Sequence, residues 1–146
     1  MCFGSVLPVI LPARVPVQFC AIPSVSTQPE HQPDVERAAR FVADRFAAAG
    51  LDRVALHPTA GHPVVTAEWR GADAAPTVLV YGHYDVQPPE PLAAWRTPPF
   101  EPVVQADRLY ARGASDDKGP MLIPILVAEA FLAIRGRLPV NLKFLI

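Results

Sequence analysis

An apolar run, Thr77-Val78-Leu79-Val80-Tyr81, leads straight into Gly82-His83-Tyr84-Asp85-Val86-Gln87-Pro88. A second polar cluster, Gly113-Ala114-Ser115-Asp116-Asp117-Lys118-Gly119, stands at the start of another apolar run. A β-type run that ends in glycine and is followed at once by chemistry-bearing side chains is the pattern of a strand whose carboxyl end carries a functional loop in an open α/β sheet. Both clusters follow segments that read as buried.

The rest of the chain supplies elements for such a sheet. Residues 33–49 have the periodicity of an amphipathic helix, with Val35, Ala38, Ala39, Val42, Phe46 and Ala49 on one stripe and Gly50 as the stop. Arg53–Leu56 and Pro63–Trp69 read as two short strands around a turn-like segment, and Asp107–Ala111 as a third. Met121–Ile134 reads as a helix apolar enough to be buried on most faces, with Pro124 tolerable only near its first turn. Pro139–Ile146 reads as a strand in a central sheet position. The segment from Pro88 to Pro102 holds six prolines with Trp95 and Phe100, which predicts an ordered, non-helical loop near the site. Residues 1–18, broken by Pro8, Pro12 and Pro16, read as extended or irregular. Phe19–Ser26 reads as a buried approach to the first helix, with Ser24 and Ser26 available to cap. The domain division expected is therefore 1–18, irregular, and 19–146, an α/β layer structure with helices on both faces of a sheet.

With 51% hydrophobic residues among 146, the chain can bury a core. Its 13 basic and 14 acidic side chains are mixed and sum to −1, which gives no electrostatic footprint for nucleic acid or an anionic membrane. Neither partner is expected. Cys2 and Cys20 form no disulfide framework and no thiolate zinc motif. No uninterrupted apolar stretch reaches the length of a membrane span, and the prolines and late first charge do not suit a secretory signal. The expectation is a cytoplasmic protein.

His83 and Asp85, two residues apart in an extended segment, face the same side. The carboxylate can then hydrogen-bond the second ring nitrogen of a metal-bound imidazole. A solvated loop histidine beside an Asx turn is the competing reading. The second cluster adds weight, because adjacent carboxylates such as Asp116 and Asp117 repel each other unless a cation neutralises them. Against that stands a simple role for Asp116 in capping the following helix. Serine hydrolysis is not indicated, since there is no Gly-x-Ser-x-Gly elbow, and no phosphate-cradling Gly-x-x-x-x-Gly-Lys-Ser/Thr is present. The residues thus point to His83 and Asp116 as two ligands of a hydrolytic metal site.

At these clusters the sequence resembles the zinc-dependent exopeptidases and amidohydrolases. That family includes carnosinase-type dipeptidases, succinyl-diaminopimelate desuccinylase, acetylornithine deacetylase, aminoacylases and glutamate carboxypeptidase. The resemblance is carried by Gly82–Pro88, Trp95 with Pro99-Phe100, Leu109-Tyr110 with Arg112-Gly113, and Ser115–Pro120. Val86-Gln87-Pro88 and Asp116-Asp117-Lys118-Gly119-Pro120 favour the dipeptidase branch. The resemblance implies the N-terminal part of a dinuclear-zinc catalytic domain. His83 would bind one Zn2+, Asp116 would bridge two, and Asp85 would be the catalytic-site residue that orients His83. Mn2+ or Co2+ could replace zinc, and the peptide between Asp116 and Asp117 would be cis.

The implied activity is two-metal hydrolysis of a dipeptide or small peptide, in a full-length protein that forms a homodimer. Family members carry a proton-accepting glutamate in a Glu-Glu pair after a strand that Val140–Ile146 resembles, followed by further ligands and a lid domain. The expectation for residues 1–146 alone is therefore an incomplete, inactive site that binds zinc weakly. The alternatives are a non-catalytic interaction module and a deacylase of N-acyl amino acids.

Overall fold

The computed structural model describes residues 6–8 and 14–146. In chain order the elements are β1 (Val6–Pro8), α1 (Arg14–Cys20), α2 (Gln32–Ala48), β2 (Asp52–His57), β3 (Val64–Trp69), β4 (Thr77–Tyr81), β5 (Val103–Gln105), β6 (Arg108–Tyr110), α3 (Lys118–Arg135) and β7 (Asn141–Leu145). The α/β class and the expected succession of helix, three strands, helix and strand are present. The chain divides into two compact units, Met1–Ala38 with Tyr84–Pro120, and Ala39–His83 with Met121–Ile146.

In the first unit β1, β6 and β5 form a small antiparallel sheet with β6 in the middle. The strand expected at Asp107–Ala111 is β6, whereas local patterning missed β1 and β5, because three-residue strands are too short to show a period. Cys20 at the end of α1 is buried with Leu109 of β6, Ala111 and Ala114, and Val17 packs against that cluster. The irregular reading of residues 1–18 does not hold for Arg14–Gln18, which are helical. Pro16 is accommodated because it lies in the first turn, where the missing N–H has no intrahelical partner to lose. The parts of that reading that fall on 1–5 and 9–13 lie outside the described residues.

The proline-rich loop is ordered. Its Glu90–Pro91 peptide is cis, and Trp95 Nε1 donates to the carbonyl of Pro89 at 2.7 Å. The Arg112 guanidinium lies 5.1 Å from the Trp95 ring centroid and donates to the carbonyl of Pro88. The loop is thereby tied to the residues just before Gly113.

In the second unit the sheet order is β2-β3-β7-β4. The strand β7 is central, antiparallel to β3 and parallel to β4. The stripe expected on α2 is buried from Val35 to Ala49, and the Phe46 ring meets Phe144 of β7 with centroids 4.8 Å apart. The helix stops at Gly50, whose φ of 79° is in the left-handed region. There the N–H of Leu51 bonds to the carbonyl of Phe46 and that of Gly50 to Ala47, the two bonds of a Schellman end. Next to it, α3 contributes the Arg45–Glu129 ion pair. Asn141 binds the loop before β4, with Nδ2 donating to the carbonyls of Ala72 and Ala75 and Oδ1 accepting from the N–H of Ala72.

Two burial expectations are corrected here. The strand β4 was expected to be buried, yet Leu79 is 61% and Tyr81 76% exposed. It pairs with β7 alone and forms the sheet edge among the described residues. Similarly, α3 begins at Lys118, which moves Pro124 into the helix interior. Ile123, Val127, Phe131 and Ile134 form an exposed apolar stripe along α3. High hydropathy established that more than one face was apolar but not that each face had a neighbour. No helix among the described residues is long and apolar enough to cross a membrane.

Candidate functional site

Each polar cluster leaves its element as the sequence pattern requires. His83 follows the carboxyl end of β4, where the N–H of Gly82 still bonds to the carbonyl of Leu145. It is half-buried and belongs to the second unit. Asp85 and Asp116 both belong to the first unit. Asp85 is half-buried and Asp116 exposed, while Tyr84 and Val86 on either side of Asp85 are buried. This alternation is the period of two expected of an extended segment.

The segment Ser24–Ser26 holds that extended stretch in place. Val25 and Val86 form a parallel β-bridge. The N–H of Val86 donates to the carbonyl of Ser24 at 2.9 Å. The Ser24 hydroxyl donates to the carbonyl of Tyr84 at 2.7 Å, and the Ser26 hydroxyl donates to Asp85 Oδ2 at 2.5 Å. The capping role expected for these serines is therefore replaced by binding to a segment about 60 residues away. The backbone from Ile22 to Val25 turns tightly, with the N–H of Ser24 bonding to the carbonyl of Ile22 and that of Val25 to the carbonyl of Pro23, so no local period announces the contact.

The second cluster is fastened by Lys118, the first residue of α3. Its side chain is fully buried, and Nζ donates to the carbonyls of Phe19 at 3.2 Å and Ile22 at 2.6 Å. The ammonium also lies 5.0 Å from the Phe19 ring centroid. Gly113 makes room for this lysine: its φ is 86°, and a Cβ there would stand 3.0 Å from both Lys118 Cδ and Val86 Cγ1. The loop is closed by the N–H of Gly119 bonding to the carbonyl of Gly113. Between them the Asp116–Asp117 peptide is cis, as the resemblance implies.

Burial shapes the protonation of the groups around Asp85. It pulls the Lys118 ammonium down to about 8, against the opposing pull of Cys20 and Asp85. It pushes the Cys20 thiol up to about 11, with Lys118 acting in the other direction. Burial and then the charge of Asp85 push the Tyr84 phenol up to about 12, so Tyr84 stays neutral beside the carboxylate at pH 7.

The imidazole of His83 and the carboxylate of Asp116 have the donor chemistry that zinc accepts. Among the described residues no group of three His, Cys, Asp or Glu side chains could hold a metal ion. A cleft of about 550 Å³ in the second unit is lined by Gly71, Phe131, Arg135, Arg137 and Pro139. It opens near the amino ends of β4 and β7, whereas His83 follows the carboxyl end of β4. The titratable lining of the cleft is Asp73, Arg135 and Arg137, one carboxylate and two guanidinium groups with no histidine or cysteine, so it offers no pair of metal-ligating side chains.

The family model for peptidases M20/M25/M40 matches residues 79–146. The Cys-Gly metallodipeptidase DUG1 of Candida albicans is 36% identical over 136 residues, covering 84% of this chain and 28% of the relative. The succinyl-diaminopimelate desuccinylase of Xylella fastidiosa is 34% identical over 120 residues, 82% of this chain and 31% of the relative. Among solved structures, human carnosine dipeptidase 1 superposes with a TM-score of 0.80 at 34% identity, covering 91% of this chain and 30% of that one. The chain thus spans less than a third of the length of these curated relatives. A likeness that covers nearly all of this chain, together with a family match over both polar clusters, has one reading: the chain belongs to the peptidase family M20/M25/M40.

Proposed function

We propose that these residues form part of a two-zinc centre that hydrolyses the peptide bond of a dipeptide or small peptide. His83 would serve as a ligand of one Zn2+, Asp116 as the ligand shared by two, and Asp85 as the carboxylate that orients the His83 ring. The observation that carries this reading is Asp85 itself, half-buried two residues beyond a strand-end histidine and held by the Ser26 hydroxyl.

A bound zinc pair supplies Lewis-acid polarisation of the scissile carbonyl and acidifies water at neutral pH; Mn2+ or Co2+ can serve in its place. The chain's own part is positioning. Asp85 would accept from the His83 ring, which would set the tautomer and raise the basicity of the ligating nitrogen. Asp116 presents its carboxylate from a loop fixed at both ends, by Gly113 and by the buried Lys118.

Support for the dipeptidase branch comes from the likeness to the Cys-Gly dipeptidase and to carnosine dipeptidase 1. Deacylation of an N-acyl amino acid is the second reading, favoured by the likeness to the desuccinylase. We further propose a cytoplasmic location, in keeping with Cys20 as a buried free thiol, and a homodimeric full-length protein. The exposed apolar residues Leu79, Tyr81 and Ile134 also favour a partner-dependent interaction module if the chain acts without catalysis.

The test is hydrolysis of Cys-Gly, β-Ala-His and an N-succinyl amino acid by the full-length protein, before and after chelation. Activity lost on chelation, restored by Zn2+ and absent from His83→Ala is the expected result. Hydrolysis that survives both chelation and His83→Ala overturns the reading, and turnover of the N-succinyl substrate alone moves it to deacylation.

A further inference from the structure

We propose that Ser26 is a positioning residue of this site, setting the plane of the Asp85 carboxylate through the hydrogen bond from its hydroxyl to Oδ2. The inference rests on the reading of Asp85 as the residue that orients His83. It adds to that reading a residue from a distant part of the chain.

Three observations support the assignment. The Ser26 hydroxyl reaches Asp85 Oδ2 at 2.5 Å across a sequence separation of 59. A serine side chain has one rotatable carbon–carbon bond, so its oxygen can be placed accurately only if its backbone is held. The backbone here is held: Val25 bridges Val86, the carbonyl of Ser24 accepts from the N–H of Val86, and the fully buried Ser24 hydroxyl donates to the carbonyl of Tyr84. The other end of the same segment is fixed independently, because Lys118 Nζ donates to the carbonyls of Phe19 and Ile22. Residues Phe19–Ser26 therefore fasten both polar clusters, the loop of Asp85 through two serines and the loop of Asp116 through the lysine that follows it.

The hydroxyl has a specific consequence for the carboxylate. An Asp side chain on an extended segment turns freely about its terminal bond, a torsion with broad preferences. A donor on one oxygen removes that freedom and fixes the direction from which the carboxylate accepts from an imidazole. Such outer-layer hydrogen bonds govern metal affinity without touching the metal. Ser26 acts through Asp85, so its effect vanishes when Asp85 is gone.

That dependence is the test. Zinc affinity of the full-length protein is measured by competition with a chelator, together with kcat and KM for Cys-Gly and the thermal midpoint. The variants are Ser26→Ala, Ser26→Thr, Asp85→Ala, the Ser26→Ala/Asp85→Ala pair and His83→Ala. Ser26→Ala is expected to weaken zinc binding about tenfold and to lower kcat with KM held. Ser26→Thr keeps the hydroxyl and is expected to stay within about twofold of the parent. In the Asp85→Ala background, removing the Ser26 hydroxyl is expected to change nothing further.

Parental zinc affinity and kcat in Ser26→Ala overturn the inference, as does a full additional loss in the double variant, since either means that the serine does not act through Asp85. His83→Ala separates the two levels. If it abolishes tight zinc binding while Ser26→Ala has no effect, only the role of Ser26 falls. If His83→Ala also leaves zinc affinity intact, the proposed site falls and the role of Ser26 with it.

Discussion

The ammonium of Lys118 stands 2.6 Å from the carbonyl oxygen of Ile22, 96 residues earlier in the chain, and no part of the lysine side chain reaches solvent. A buried cation is tolerated where it is well bonded. Here the carbonyls of Phe19 and Ile22 and the face of the Phe19 ring supply that bonding. Lys118→Met retains the stem volume but leaves both carbonyls without their donor. The expected loss is about 2–3 kcal/mol by denaturant unfolding, accompanied by faster proteolysis near Phe19–Ser26. A variant as stable as the parent would show that the lysine costs as much to bury as its bonds return.

Gly113 is poorly able to accept a side chain. Alanine there meets two objections, a φ of 86° and a Cβ placed 3.0 Å from Lys118 Cδ and Val86 Cγ1. Gly113→Ala is expected to lose about 1–3 kcal/mol, more than Gly136→Ala. The Gly136 site also has a positive φ but has nothing within 4 Å of an added Cβ. Equal losses at the two positions would mean that backbone conformation alone decides and that the Lys118 stem yields.

Phe46→Ala tests the packing of α2 on its sheet. Both Phe46 and Phe144 are buried, with ring centroids 4.8 Å apart. Truncation is expected to cost about 3–5 kcal/mol. Phe46→Leu refills most of the space and should recover more than half of that in the same unfolding measurement.

The alkaline limb of stability carries a contribution from Cys20. Burial raises its thiol from 9.0 to about 11, with Lys118 opposing. The folded state therefore holds the proton more tightly than the unfolded chain, and the contribution is complete below about pH 9 and lost as pH rises through 11. Two pKa units correspond to about 2.7 kcal/mol. Lys118 works in the opposite sense. Its folded value of about 8 lies below the ordinary 10.5, so its contribution grows with pH across that interval. Tyr84, raised to about 12, acts with Cys20 at higher pH. The difference between the parent and Cys20→Ala isolates the thiol. The parent's advantage at pH 8 should shrink steadily between pH 9 and 11, and a constant difference would refute the assignment.

Local periodicity was enough to find α2 and its buried stripe, the β2–β3 pair, β4 and the central β7. Gly82-His83-Tyr84-Asp85 could be placed at a strand end because an apolar run, a glycine and an extended polar segment are all short-range signals. What escaped is long-range. The bonds of Lys118 to Phe19 and Ile22 and of Ser26 to Asp85 join residues 59 to 99 positions apart. A lysine between Asp117 and Gly119 looks like a solvated charge until its partners are known. The exposure of Tyr81 and Ile134 was hidden for the complementary reason: a residue's hydropathy says that it gains from being covered, while only the tertiary structure says whether a cover is there.

The place of β7 in the sheet sets the order in which that sheet can be built. The β2–β3 hairpin and β4 share no hydrogen bonds, and each joins the sheet only through Asn141–Leu145. During synthesis the ribosome releases β4 long before the strand that connects it to its neighbours. Until β7 emerges, β4 has no strand to pair with, and the hairpin is bare along β3 as well as along β2. Nascent chains arrested before Asn141 should therefore remain protease-sensitive across Thr77–Tyr81, and protection should arrive in a single step once β7 has cleared the exit tunnel.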